Sequence, residues 1–345
     1  MPDDFAMIVA PATPENPRNT EGDIVVLRDG RLLLAWSDFY AGEMPDAAPA
    51  RISAMISDDG GRTWGERFTL QENIGGQNVM SVSLLRLQSG DILFFFLQKN
   101  SDTDLQALMR RSADDGRTWS EPVRCTDGAG YYVVNNARVI QLGSGRLVLP
   151  AAWYDDIRGE EASAVSQAWL SDDEGRTWRR SESEIRLPLR GAMEPGVVEL
   201  RDGRILMIIR TQLGQIYRAF SADAGATWTE AEPMGIGAPV APSTIARIPS
   251  TGDLLLIWND CFRAGPDAPA VRTPLTAAIS ADEGATWRHV RDLETDPDRW
   301  YAYTSITFVG ERVLLTYWVD EHFSQPRLLH LKLRSLPVSW FYHNA

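Results

Sequence analysis

The chain has 345 residues and a formal net charge of −13, from 47 acidic against 34 basic side chains. That charge repels phosphate backbones and no Lys/Arg-rich run offsets it, so nucleic acid is not an expected partner. No stretch approaches the ~18 consecutive apolar residues of a membrane span, and the apolar and aromatic content predicts a large soluble core.

The N-terminal MPDDFAMIVAPATPENP has no basic segment followed by an apolar one. This predicts a cytoplasmic protein, or a secreted one whose leader has been removed. Within it, FAMIVAPA reads as a strand. The next element, DIVVLRDGRLLLAWS, is two β-rich runs joined by Asp-Gly, a hairpin signal. A loop, FYAGEMPDAAPAR, and a third run lead to SDDGGRTW at Ser57.

The same order then returns. Hairpin signals recur in VSLLRLQSGDILFFFL, ARVIQLGSGRLVLPAAW, GVVELRDGRILMIIR and TIARIPSTGDLLLIWND, and Ser-x-Asp-x-Gly-x-Thr-Trp recurs at Ser112, Ser171, Ser221 and Ser280. A period of roughly 50 to 60 residues marks an array of like supersecondary units. Each unit reads as strand, Gly turn, strand, variable loop, strand, Ser-x-Asp turn, strand. A further hairpin, SITFVGERVLLTYWV, is followed only by RLLHLKLRSL. Five complete units and this one predict an all-β fold, a six-bladed β-propeller with four-stranded antiparallel blades, in a single domain over 1–345. FAMIVAPA is expected to supply the last outer strand. The Asp, Gly and Trp of the repeat read as scaffold: turn acceptor, positive-φ residue and packing group. Cys125 and Cys261, far apart in sequence, read as two reduced core thiols.

Strand parity selects the face for chemistry. Both turn types project from one face, so the variable loops and the strand ends opposite them form the other. Those positions hold Arg18, Glu21 and Asp23, then Asp38, Glu43 and Asp46; Asn135, Asn136, Arg138 and Tyr154; Glu194 and Arg210; Arg272; and Tyr301, Tyr303 and His322. Arginines converging with carboxylates and tyrosines suit an anionic substrate, because guanidinium presents a planar fork to a carboxylate. His289, His322, His330 and His343 are scattered, and no metal or cofactor is expected.

The repeat is the Asp-box, and nearly the whole chain resembles the sialidase (neuraminidase) superfamily, in particular its bacterial BNR/Asp-box branch. Glu194 in MEPGVVEL and Arg210 in MIIR fit the family's Glu that assists the tyrosine nucleophile and an Arg of its three-arginine carboxylate clamp. VRTPLTAAIS is similar to the family's Arg-Arg-x-Leu-Thr segment and nominates Arg272. AYTSITF resembles Gly-Tyr-Ser-Asp-Leu and nominates Tyr303 as nucleophile. The first unit departs from the family: NPRNTEGDIVVL has Thr20 where the clamp Arg is expected, leaving Arg18 or Arg138 for that place. The resemblance puts the acid/base Asp in the loop after the first hairpin, where Asp46 fits best and Asp38 and Glu43 compete.

The resemblance therefore implies an exo-acting retaining glycoside hydrolase acting on a terminal sialic acid or related acidic sugar of an oligosaccharide or glycoconjugate. A neutral tyrosine nucleophile avoids repulsion by the substrate carboxylate. The alternatives on the same fold are a hydrolase or lyase for a uronic-acid-containing glycan, using a carboxylate pair or His322 and Tyr301, and a non-catalytic carbohydrate-binding propeller. The residues leave the oligomeric state open.

Overall fold

A computed structural model describes residues 4–159, 162–262, 271–321 and 327–343. The fold is all-β, built from four-stranded antiparallel units that follow the sequence order. The first holds β2 (Arg18–Val26), β3 (Leu32–Phe39), β4 (Ala50–Ser57) and β5 (Phe68–Gln71). The second holds β6 (Asn78–Arg86), β7 (Ile92–Lys99), β8 (Asp104–Ser112) and β9 (Val123–Arg124). In the third the inner strand is broken into β10 (Gly130–Val133) and β11 (Ile140–Gln141), beside β12 (Leu147–Tyr154), β13 (Val165–Ser171), β14 (Arg179–Arg180) and β15 (Ile185–Arg186).

The next units are β16 (Met193–Glu199), β17 (Ile205–Arg210), β18 (Gln215–Ser221) and β19 (Glu232–Gly237), then β20 (Thr244–Arg247), β21 (Leu254–Asn259), β22 (Leu275–Ser280) and β23 (Arg288–Glu294). Finally β24 (Arg299–Val309), β25 (Arg312–Glu321) and β26 (Leu329–Pro337) take β1 (Phe5–Ala10) as their outer strand, with Phe5 opposite Ser335. The N-terminal segment thus supplies the strand that the sequence lacks after its last hairpin. A parallel pairing of Arg18 with Leu329 joins the last unit to the first.

The second strands are buried along their length, β3, β17 and β21 among them, as apolar runs covered on both faces must be. The cores lie between successive units: Val25, Leu33 and Ala54 of the first meet Val82, Phe94 and Leu108 of the second, and Ile24, Leu32 and Leu34 meet Leu314, Leu331 and Leu333 of the last. Neither Cys125 nor Cys261 is in a disulfide among the described residues; Cys125 is buried in the core between the second and third units, whereas Cys261 is only half-buried. No helix among the described residues is long and apolar enough to cross a membrane.

Each repeat turn closes on its own aspartate. Asp59 accepts from the Thr63 N–H at 2.9 Å and its hydroxyl at 2.7 Å, and Ser57 Oγ, which donates to Asp59, accepts from the Gly61 N–H at 2.9 Å. Gly175 adopts a φ of 89°, and a Cβ there would lie 2.7 Å from Met109 Sδ of the preceding unit. Gly61 stands in the same relation to Leu314 of the last unit, at 2.8 Å. The glycine is therefore required twice, for its left-handed backbone and for close approach to a neighbour.

The Thr63 N–H and hydroxyl hold the Asp59 carboxyl down to about 2, from an ordinary 3.8, and Asp114 and Asp282 behave alike. A depressed carboxyl contributes stability that is complete above its ordinary value and lost as pH falls through the native one. Melting temperature should therefore fall between about pH 4 and pH 2, and Asp59→Ala should lower it by about 2 to 4 °C at neutral pH in a thermal melt followed by circular dichroism.

The inner strands carry two-for-one bulges at one level. Between Thr20 and Asp23, Met80 and Ser83, Met193 and Gly196, and Ala302 and Ser305 the pairing skips, and the first bulged residue has a positive φ: Glu21 at 54°, Ser81 at 59°, Glu194 at 39° and Tyr303 at 60°. Ala137 at 54° lies in the break between β10 and β11. A bulge re-aims a side chain out of the strand's alternation, and a left-handed non-glycine residue is backbone strain of the kind found at functional sites.

Candidate active site

All four of those bulged residues, Glu21, Ser81, Glu194 and Tyr303, line a cavity of about 280 Å³ together with Arg18, Asp46, Arg210 and Arg272. Tyr303 Oη donates to Glu194 Oε1 at 3.2 Å. Glu194 Oε2 accepts from Arg210 Nη1 at 2.5 Å and from Asn135 Nδ2 at 3.3 Å. Burial pushes the Glu194 carboxyl up, but Arg210 beside it, with Arg272 and Asn135, more than reverses this and holds it below its ordinary range. Burial, and then the Glu194 charge, push the Tyr303 phenol well above its ordinary value, so at neutral pH it is a proton donor to a carboxylate.

The cations are arranged differently. Arg210 Nη2 and Arg272 Nη2 donate to one carbonyl, that of Val240, at 3.0 and 3.4 Å. Arg272 also lies over the rings of Trp318 and Tyr303, at 5.4 and 6.0 Å from their centres. Burial and the neighbouring Arg210 charge both lower its proton affinity, and no carboxylate among the described residues pairs with it. An anion in the cavity would relieve that repulsion. Arg18 is already engaged, with Asp46 Oδ1 at 2.6 Å and Glu21 Oε1 at 3.2 Å, over the Phe39 ring. The Arg18 charge is the main reason the largely exposed Asp46 carboxyl sits below its ordinary range.

Arg18 reaches the place where Thr20 stands in the strand: its Nε donates to Thr20 Oγ1 at 3.2 Å. Arg138, the other candidate for that position, is absent from the cavity lining. It crosses beneath it, donating from Nη1 to Thr244 Oγ1 at 3.1 Å and from Nη2 to the Ser243 carbonyl at 2.7 Å, and burial pulls its guanidinium down to about 10. Asp38 is fully buried behind the site, held by Arg51 at 2.9 Å, Ser53 at 2.5 Å and Asn16. Its place as a substrate contact or acid is corrected to that of a loop anchor, and Glu43, exposed, does not line the cavity. Tyr301 packs edge-on against Tyr317 in the core, and His322 lies outside the described residues. Tyr131, Tyr154 and Arg190 also line the cavity. Strand parity could have found Tyr131, in the first half of a broken inner strand; nothing in the sequence marks Arg190, which sits in an inter-unit loop.

A family model described as a BNR repeat-like domain matches residues 30–314. The chain belongs to the BNR repeat-like domain family. This places it in the sialidase superfamily, with the Asp-box turns as its repeated element. A sialidase of Micromonospora viridifaciens is 29% identical over 315 residues, covering 76% of this chain and 44% of that protein. The chain spans about half the length of the curated relatives it matches, between 38% and 56%. Among solved structures, a protein of unknown function from Dyadobacter fermentans superposes with a TM-score of 0.77 at 21% identity, covering 95% of this chain and 97% of that one. A mutant of NanB sialidase from Streptococcus pneumoniae gives 0.75 at 16% identity, covering 97% and 71%. These likenesses establish the BNR propeller fold; the cavity's chemistry rests on its own geometry.

Proposed function

We propose that this chain is an exo-acting retaining glycoside hydrolase of sialidase type, formed by six units closed into one propeller domain, which removes a terminal sialic acid or related acidic sugar. The observation that carries the reading is the chain of contacts Tyr303, Glu194, Arg210 in the wall of a cavity that holds three further arginines, Arg18, Arg190 and Arg272. Closure is supported by the Gly61 turn seated on Leu314 and by β1 pairing with β26.

Arg210, Arg272 and Arg18 receive the carboxylate borne on the anomeric carbon. Tyr303 Oη then attacks that carbon as its proton passes to Glu194, while Asp46 protonates the departing glycosidic oxygen. In the second step Asp46 takes a proton from water, the water oxygen displaces tyrosine, and Glu194 returns the proton to the phenolate. Two inversions give retention.

The Asp46–Arg18 pair adds a coupling between binding and acidity. A substrate carboxylate arriving at Arg18 removes the cation that holds Asp46 down, so the group that must donate a proton becomes a weaker acid once substrate is bound. The alkaline limb of kcat should therefore lie at higher pH than that of kcat/KM, since the latter reports the free enzyme. Asp46→Asn should lose on the order of 100-fold to 10,000-fold in kcat/KM on a sialyl-oligosaccharide and far less in kcat/KM on an aryl sialoside, whose leaving group needs no acid in the first step.

The direct test follows an α-sialoside by proton NMR and identifies the anomer released first. The α anomer, later mutarotating to β, supports the mechanism; the β anomer overturns retention. No turnover of α-sialosides, with cleavage of a uronic-acid-containing glycan instead, would move the substrate to that class.

A further inference from the structure

The bulge at Tyr303 creates a question of support. Tyr303 and Thr304 together face the single residue Tyr317, since Ala302 pairs with Trp318 and Ser305 with Thr316. Two successive peptide groups thus leave the regular ladder, and their buried carbonyls need other donors. Both find one. The Tyr303 carbonyl accepts from Asn136 Nδ2 at 3.0 Å, and the Thr304 carbonyl accepts from Thr244 Oγ1 at 2.7 Å.

Neither donor is local. Asn136 is fully buried in the break between β10 and β11, and its second amide hydrogen goes to the Gly22 carbonyl at 2.9 Å, in the bulge beginning at Glu21. Thr244 heads β20 and is in turn held by Arg138. The four residues Asn135, Asn136, Ala137 and Arg138 reach the other units one by one: Asn135 touches Glu194, Asn136 binds Gly22 and Tyr303, the Ala137 N–H donates to the Val82 carbonyl, and Arg138 binds Ser243 and Thr244.

We infer that Asn136, seconded by Arg138 acting through Thr244, is a positioning residue that fixes the left-handed backbone at Tyr303 and thereby the contact between the Tyr303 hydroxyl and Glu194. The inference rests on the reading of Tyr303 and Glu194 as nucleophile and base, but its structural half can be tested without turnover. Two carbonyl oxygens converging on one side-chain atom demand a donor with two hydrogens, which asparagine supplies and aspartate does not. The Asn136 Oδ1 atom has no hydrogen-bond partner among the described residues, so the amide nitrogen is the working end of the side chain.

The experiment uses the whole chain labelled with 13Cζ-tyrosine, with Tyr303→Phe identifying the Tyr303 resonance, alongside kinetics on an aryl α-sialoside. In Asn136→Ala the Tyr303 resonance should move or broaden while the other tyrosines stay in place. Turnover should fall on the order of 100-fold with KM within about threefold, the signature of a misplaced nucleophile beside a retained carboxylate clamp. A folded Asn136→Ala protein with an unmoved Tyr303 resonance overturns the inference, as does unchanged kcat. If that variant fails to fold, Thr244→Val carries the same test, with a smaller change of the same kind expected and an unmoved resonance again overturning it. A wild type with no turnover on acidic-sugar ketosides would sink the sialidase reading, yet the resonance would still decide whether Asn136 holds Tyr303.

Discussion

Tyr303→Phe should give a folded protein that binds an acidic sugar and does not turn it over. The ring itself is held by contacts a phenylalanine keeps: it stacks on Trp318 with centres 6.4 Å apart, and Arg272 lies over it. Only the oxygen is lost, and with it one hydrogen bond to Glu194. Removing a covalent nucleophile while leaving the binding groups should lower kcat at least on the order of 1,000-fold, with KM for an aryl α-sialoside within about threefold. Calorimetric titration with free sialic acid should show affinity close to wild type, because Arg18, Arg210 and Arg272 are untouched. A loss of less than about tenfold would mean that the phenol only lines the cavity.

Glu194→Gln should be nearly as damaging, and for two separable reasons. The amide cannot take the phenolic proton, which should remove about 100-fold to 10,000-fold from kcat. It also leaves the buried Arg210 guanidinium without its carboxylate, a change worth about 1 to 3 kcal/mol of stability with a carbonyl still present as acceptor. The pH dependence distinguishes the two effects. Despite burial, Arg210 keeps the Glu194 carboxyl below its ordinary value of 4.5, so its contribution is complete above that value and is lost as pH falls through the lower, native one. The gap in melting temperature between wild type and variant should therefore be full at neutral pH and close as the solution is made strongly acid. A gap that persisted unchanged at low pH would show that packing, and not the ion pair, accounts for it.

The repeat made the architecture legible. Hairpin turns and Asp-box turns fall at fixed places in each unit, and their alternation identifies both the strand count per unit and the face left for variable loops. Arg210, the last residue of β17, could be assigned to the cavity's face by parity alone. What parity could not see is the bulge. Two residues opposite one reverse the in-and-out pattern partway along a strand, at Glu21 in β2 and at Tyr303 in β24 among others. In the third unit the break around Ala137 sends Arg138 beneath the cavity instead of into it. Asp38 misled for another reason. It ends β3 at the right height, but Arg51 and Ser53 on β4 consume its carboxylate, a cross-strand pairing that a list of chemically suitable residues does not contain.

The seating of each turn on the unit before it has a kinetic side. In an open repeat array every contact is between near neighbours, and folding can start anywhere and spread, with the outermost segments fraying first. Here Phe5–Ala10 and Leu329–Pro337 are strands of one sheet, and Thr307 donates to the Ile24 carbonyl across 283 residues of sequence. Contacts that join the most distant parts of the chain carry the largest loop-closure entropy, which favours slow, late completion over gradual growth. The cavity draws Arg18 from the first unit and Tyr303 from the last, so it is complete only once those contacts have formed. A chain that has folded all but its final seam would have most of its core and none of its chemistry.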